Sequence, residues 1–244
     1  MGLTLTLHPE LTDKQRDVLR NRTQFMILKG PAGTSKTYIA LARGLKLLQQ
    51  NLISRIVIIR SAVEIRSIGF LPGNQQEKLD AYKSPYINLV SQLSPKRNFN
   101  ALVASKEIEF HSTSFLRGMT FDDAYIIVDE YQNMNAHELE TVVTRVGDST
   151  HLVLCGDTDQ SDLLGTEAKD HRRVMETLET MPDFYTVEFT IDDIVRSDFV
   201  KRYYMAKQGV FSAPAFLLKR DKKDRSREED TCGRTPAEKA AGYQ

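Results

Sequence analysis

A chain of 244 residues is long enough for one three-layer domain with a tail and too short for two full ones, and its 33 basic and 33 acidic residues leave a formal charge of zero. A neutral chain has no global field to attract nucleic acid, so any basic groove must be a local product of the fold. With 41% hydrophobic residues, only Cys155 and Cys232 as cysteines, and no apolar run near the roughly 18 residues of a membrane span, the composition predicts a globular protein of a reducing cytoplasm. No cationic stretch followed by an apolar core opens the chain, and Met1 to Thr6 matches only the loose myristoylation pattern, which short sequences fit by chance.

Leu11 to Leu19 reads as a helix with a capping box, Thr12 as its N-cap and Gln15 three residues on. A strand follows from Gln24 to Lys29, then a Gly-rich stretch, then a helix over about Lys36 to Gln49. In that helix Ile39, Leu41, Ala42, Leu45 and Leu48 recur at helical spacing. Arg55 to Arg60 is the near-continuous apolar run of a strand covered on both faces. Turn residues at Ile68-Gly69-Phe70-Leu71-Pro72-Gly73 lead into a long polar helix ending near Leu93.

Residues 98 to 105 read as a short helix and Glu107 to His111 as a short strand. Tyr125 to Val128 and Leu152 to Cys155 are buried strands, with a helix over Ala136 to Arg145 between them. Arg172 to Thr180 is predicted helical and Tyr185 to Phe189 extended, and Thr190 is predicted to cap a helix running to about Gln208. Strands alternating with helices imply an α/β fold, a mostly parallel sheet with helices on both faces, as one domain over residues 1 to 218. From Lys219 to Asp230 there are six basic and five acidic residues and no large apolar side chain, so residues 219 to 244 are expected to be a disordered tail.

Gly30-Pro31-Ala32-Gly33-Thr34-Ser35-Lys36-Thr37 lies between a strand and a helix, the setting a phosphate-binding loop needs. Backbone N–H groups of such a loop curl around the phosphates of ATP, a Lys reaches them, and a hydroxyl ligates Mg2+. Lys36 and Thr37 are assigned those two tasks. The sixth position of G-x-x-x-x-G-K-[ST] is Ser35 here, and a positive φ at a serine would cost about 1–3 kcal/mol. That substitution keeps nucleotide binding and puts the turnover rate in question.

Asp129-Glu130 closes the strand ending at Val128, at the edge where parallel sheets bind ligands. Alone, such a pair often caps the next helix. Beside a phosphate loop, an Asp there holds Mg2+ through water and an adjacent Glu deprotonates the attacking water. Gly156-Asp157-Thr158-Asp159-Gln160 follows the next strand in the same way, so Gln160 can reach the γ-phosphate or the water, although a plain Gly-Asp turn explains the spacing equally well. The five histidines are scattered and no Cys-x-x-Cys, His-Glu-x-x-His or G-x-S-x-G is present, which argues against a zinc site or a hydrolase elbow.

The loop at 30 to 37, Asp129-Glu130-Tyr131-Gln132-Asn133 and the box at 156 to 160 resemble the phosphate loop, DExQ box and GDxxQ box of superfamily 1 helicase ATPase cores. Arg60-Ser61-Ala62-Val63-Glu64, Gly69 to Gly73, Phe115-Leu116-Arg117-Gly118-Met119-Thr120 and Asp193-Ile194-Val195-Arg196 resemble, more closely, the PhoH-like ATPase family in the short form often carried by phages. The resemblance spans residues 10 to 208 and implies a RecA-like P-loop NTPase fold. It implies Mg2+-dependent ATP hydrolysis coupled to RNA or single-stranded DNA, with Asp129 as magnesium partner, Glu130 as catalytic carboxylate, Gln160 as sensor and Arg196 stabilising transferred charge.

Gln15 is similar to the adenine-reading glutamine upstream of helicase phosphate loops, and its capping box explains it equally well. Superfamily 1 helicases seat nucleotide between two cores, whereas this length holds one, so a homo-oligomeric ring, a hexamer among the options, is expected to supply an arginine from a neighbour. Two rival activities stay open at this point: a non-hydrolytic ATP-binding switch, motivated by Ser35, and a small-molecule kinase.

Overall fold

The structure, a computed structural model, describes residues 5, 7, 11–61, 75–95, 98–207 and 209. The chain divides into two compact units, Met1–Val200 and Lys201–Gln244, and the sheet with both helical layers belongs to the first. The turn-rich stretch at 68 to 73, most of the box at 60 to 64, Cys232 and the charged tail at 219 to 244 lie outside the described residues.

The elements alternate as expected: α1 (Asp13–Arg20), β1 (Phe25–Lys29), α2 (Lys36–Gln49), β2 (Arg55–Arg60), α3 (Gln75–Leu93), α4 (Phe99–Ala104), β3 (Ile108–Ser112), β4 (Ala124–Asp129), α5 (Ala136–Val143), β5 (His151–Gly156), α6 (Gly165–Thr180), β6 (Phe184–Glu188) and α7 (Asp198–Lys207). Among the described residues, six strands form one sheet of order β3-β2-β4-β5-β1-β6. Every pairing is parallel.

Side chains of a strand alternate between faces, and here both faces are covered, which is why β1, β2, β4 and β5 read as unbroken apolar runs. Met26 and Leu28 join Ile56, Ile58, Tyr125, Ile127 and Val153 under α1 to α4. Ile27 joins Val57, Ile59, Ile126, Val128, Leu152 and Leu154 under α5 and α6. The register sets Lys29 beside Gly156 and Asp129 beside Cys155. The segments after β1, β4 and β5 therefore leave the sheet at one edge.

Two expectations about helices are corrected. Helix α6 starts at Gly165, seven residues before Arg172, because its inward residues begin only at His171, and the solvent-facing first turns carry no apolar period to read. Thr190 does build a capping box, with Asp193, but over a single 3-10 turn, Ile191–Asp193. The chain leaves that turn extended at Ile194, and α7 begins afresh at Asp198. The Val195 N–H goes to Gly33 O at 3.2 Å instead of closing a helical turn, so Arg196 sits in a connecting segment against the Gly-rich loop.

Candidate nucleotide-binding site

Three segments at the C-terminal edge of the sheet enclose a cleft of about 360 Å³, lined by the loop after β1, by Asp129 and Glu130, by Gly156, Asp157 and Gln160, and by Arg60, Arg196 and one side of α3. This is where a parallel sheet concentrates ligand chemistry, since strand ends and helix N-termini converge there.

The loop from Gly30 to Thr37 is a closed cradle. Lys36 Nζ donates to Gly30 O at 2.6 Å and Pro31 O at 3.0 Å, and Thr34 Oγ1 donates to Pro31 O at 2.9 Å. The Ala32 N–H is held by Asp157 Oδ2 at 3.1 Å. Gly30 has φ +141°, and a Cβ there would lie 2.4 Å from Phe189 O, so the first loop position takes only glycine. Ser35 stands at φ 60°, ψ 34°, the left-handed region, which makes the sixth position a strained one for serine. Whereas α1 and α5 open with side-chain capping boxes, α2 opens with no side-chain cap at all. Its first N–H groups and the positive end of its dipole face the cleft. Burial lowers the Lys36 pKa, against the pull of negative charge at Asp157, Glu130 and Asp129.

Opposite the cradle, Thr37 Oγ1 donates to Asp129 Oδ1 at 2.8 Å, and Tyr86 OH donates to Asp129 Oδ2 at 2.5 Å. Burial and the Asp129 charge push the Tyr86 phenol well up, so it stays a donor. Glu130 follows with φ 55°, a second strained residue on the wall of the cleft. Gln132 Nε2 donates to Glu130 Oε2 at 2.7 Å, and Gln132 Oε1 accepts from the Asp157 N–H at 3.0 Å. Glu130, Gln132, Asp157 and Ala32 thus form one chain of hydrogen bonds between the acidic strand end and the cradle. Gly156 allows it: a Cβ there would fall 2.6 Å from Gln132 Oε1.

The expected residues are not all in the cleft. Ala32, Gly33, Ser35, Lys36, Thr37, Asp129, Glu130, Gln160 and Arg196 line it. Arg196 lines the cleft of its own chain, its stem against Gly33, where the length argument had looked to a neighbouring subunit. Gln15 does not line it. Only 1% exposed, Gln15 accepts from the Thr12 N–H with Oε1 and donates to Thr34 O with Nε2, bracing the loop from behind. Composition and motifs missed Tyr86 and Lys14, and Arg60 was named only as part of a family box, with no role. Tyr86 lies in a polar helix with no motif around it. Lys14 Nζ donates to Glu188 O and to Asp193 Oδ2, both at 2.8 Å, and so fastens α1 to the turn that precedes Arg196.

A parallel sheet whose β1 runs into a Gly-rich loop ahead of α2, and whose β4 ends in a carboxylate bonded to the Thr37 hydroxyl, has the RecA-like P-loop NTPase fold. The large terminase of a thermophilic bacteriophage, solved in complex with ATP-gamma-S, is similar in fold, with a TM-score of 0.52 and 15% identity over 80% of this chain and 49% of that one. The PhoH-like protein family profile matches residues 9–208. A PhoH-like protein of Mycobacterium leprae is 38% identical over 168 residues, 68% of this chain and 48% of the relative, and one of Bacillus subtilis is 33% identical over 174 residues, 71% and 54%. The chain belongs to the PhoH-like protein family. It spans about half the length of the curated relatives it matches.

Proposed function

We propose that the chain is a Mg2+-dependent ATPase that acts on RNA or single-stranded DNA. The observation that carries this reading is the hydrogen bond from Thr37 Oγ1 to Asp129 Oδ1, which brings the hydroxyl of the cradle and the carboxylate of β4 together. These are hard oxygen donors on the wall of the cleft, the chemistry Mg2+ requires. Bound there with ATP, the ion would neutralise charge on the β- and γ-phosphates.

The chain's own residues do the rest. The uncapped N–H groups of α2 receive the β-phosphate, and Lys36 exchanges the Gly30 and Pro31 carbonyls for phosphate oxygens, whose charge favours its protonated form. Glu130 takes a proton from the attacking water as the water oxygen bonds to the γ-phosphorus and the bond to the β-phosphate oxygen breaks. Gln132 orients that carboxylate. Gln160 lies within the same cleft as the sensor of γ-phosphate, and Arg196 stabilises the transferred charge, a role worth about 10³–10⁵ in rate.

The polymer is supported by family membership and by one surface. Phe115, 67% exposed, ends the 3-10 turn that follows β3, and Arg117 two residues on bonds His137 at 3.1 Å. An exposed ring two residues from a cation, at the C-terminal edge of the sheet, suits an unpaired base and its phosphate. Assembly into a ring is a further proposal. Among the described residues no helix is long and apolar enough to cross a membrane, and the buried Cys155 is a free thiol, which suits the cytoplasm.

The test is steady-state phosphate release by the wild type and Glu130→Gln, each with and without single-stranded RNA or DNA. We expect release that one polymer stimulates and that falls by about 10²-fold or more in the variant while ATP binding persists. Ser35 at positive φ favours one rival, a non-hydrolytic switch. ATP binding without release by the wild type would select it, and phosphoryl transfer to a nucleoside would select a kinase.

A further inference from the structure

Resting on the ATPase reading above, we infer that Tyr86 is the positioning residue of the Asp129 carboxylate, and that α3 enters the nucleotide site through its hydroxyl. Asp129 is 7% exposed, and its two oxygens accept from two hydroxyls on two helices, Oδ1 from Thr37 of α2 and Oδ2 from Tyr86 of α3. The terminal torsion of an aspartate is broad and nearly two-fold, so one donor leaves the carboxylate free to rotate and two fix its plane. Tyr86 is itself fixed. Its ring is 1% exposed and meets Phe110 of β3 edge-on, with centroids 5.3 Å apart and planes at 61°, and Phe110 in turn meets the Phe99 ring of α4 at 5.8 Å. The phenol is thus aimed by β3 and α4, elements that carry none of the phosphate-binding motifs.

A donor behind a ligand carboxylate sets the orientation of that ligand, and its removal costs about 10–100-fold in metal affinity or activity. Phenylalanine at position 86 keeps the ring and its seat on Phe110 and removes only the donor. The Tyr125 hydroxyl, buried in the N-terminal half of β4, gives a matched control, because its loss removes a buried phenol without touching Asp129.

The experiment uses the full chain as wild type, Tyr86→Phe and Tyr125→Phe. Affinity for a fluorescent, non-hydrolysable ATP analogue is measured without metal, and Mn2+ binding to the analogue complex is titrated by electron paramagnetic resonance. We expect equal metal-free nucleotide affinity in all three proteins and Mn2+ affinity weaker by about 10-fold or more in Tyr86→Phe alone. Equal Mn2+ affinity in Tyr86→Phe and Tyr125→Phe overturns the role of Tyr86. So does a matching loss of metal-free affinity in Tyr86→Phe, which would mean that the ring's packing and not its hydroxyl matters. A wild type that binds no Mn2+ with nucleotide overturns the ATPase reading and this inference together, whereas Mn2+ binding untouched by Tyr86→Phe overturns this inference alone.

Discussion

Single residues of the loop carry its energetics. Ser35 holds the left-handed conformation without the freedom of glycine. The left-handed penalty of about 1–2 kcal/mol exceeds the extra unfolded-chain entropy of glycine, about 0.5–1 kcal/mol. Ser35→Gly is therefore expected to raise the melting temperature by about 2–4 °C, read by circular dichroism, and an unchanged value would mean that serine is at ease there. Gly156 makes the opposite demand. Gly156→Ala drives a methyl into Gln132 and the Tyr131 ring, at a cost of about 1–3 kcal/mol, and is expected to lower the melting temperature and phosphate release together.

At the scale of elements, the contacts that matter join segments distant in sequence. Lys14 on α1 and Asp193 after β6 form an ion pair at 2.8 Å with side chains 39% and 11% exposed. Burial raises the Asp193 pKa, but donation from Lys14 and Thr190 outweighs it and leaves the group below its ordinary 3.8. The unfolded chain then binds more protons than the folded one below that pH, so the pair's contribution is present above 3.8 and is lost as pH falls through the folded value. Asp193→Asn is expected to cost about 0.5–1 kcal/mol at pH 7, after allowing for the exposed Lys14, and the gap to wild type should close in acid, as thermal melts across pH would show. At the opposite end of the ligand edge, Phe115→Ala removes one stacking face. Its expected effect is a weaker polymer stimulation of phosphate release, by about 1–3 kcal/mol, with polymer-free release unchanged.

For the whole molecule, Arg196 decides between a site complete within one chain and a site shared between chains. It lines the cleft of its own chain. Mixing Arg196→Ala with Lys36→Ala chains is therefore expected to recover no phosphate release at any protein concentration. Recovery would place the arginine in trans and make assembly part of the chemistry. Light scattering on the same mixtures reads the oligomeric state directly.

Residue order alone determined the alternation of strands and helices, a mostly parallel sheet and the Gly-rich loop between β1 and α2, because these rest on local signals: apolar runs of strand length, helical spacing, and a Gly-rich turn between them. The α1 capping box and the bounds of α2 and β2 were legible to the residue for the same reason. The sequence also placed Asp129 and Glu130 at the ligand edge, since a strand end announces itself. The tertiary structure alone decided which side chains meet there. Tyr86 reaches Asp129 across 43 residues and Lys14 reaches Asp193 across 179, distances over which no local pattern operates. Only the sheet order brings those partners together. The same cause corrected the last helix: Thr190 carries a valid helix-start signal, but the chain after it satisfies Val195 on the loop at Gly33, a partner that exists only once β1 and β6 lie side by side.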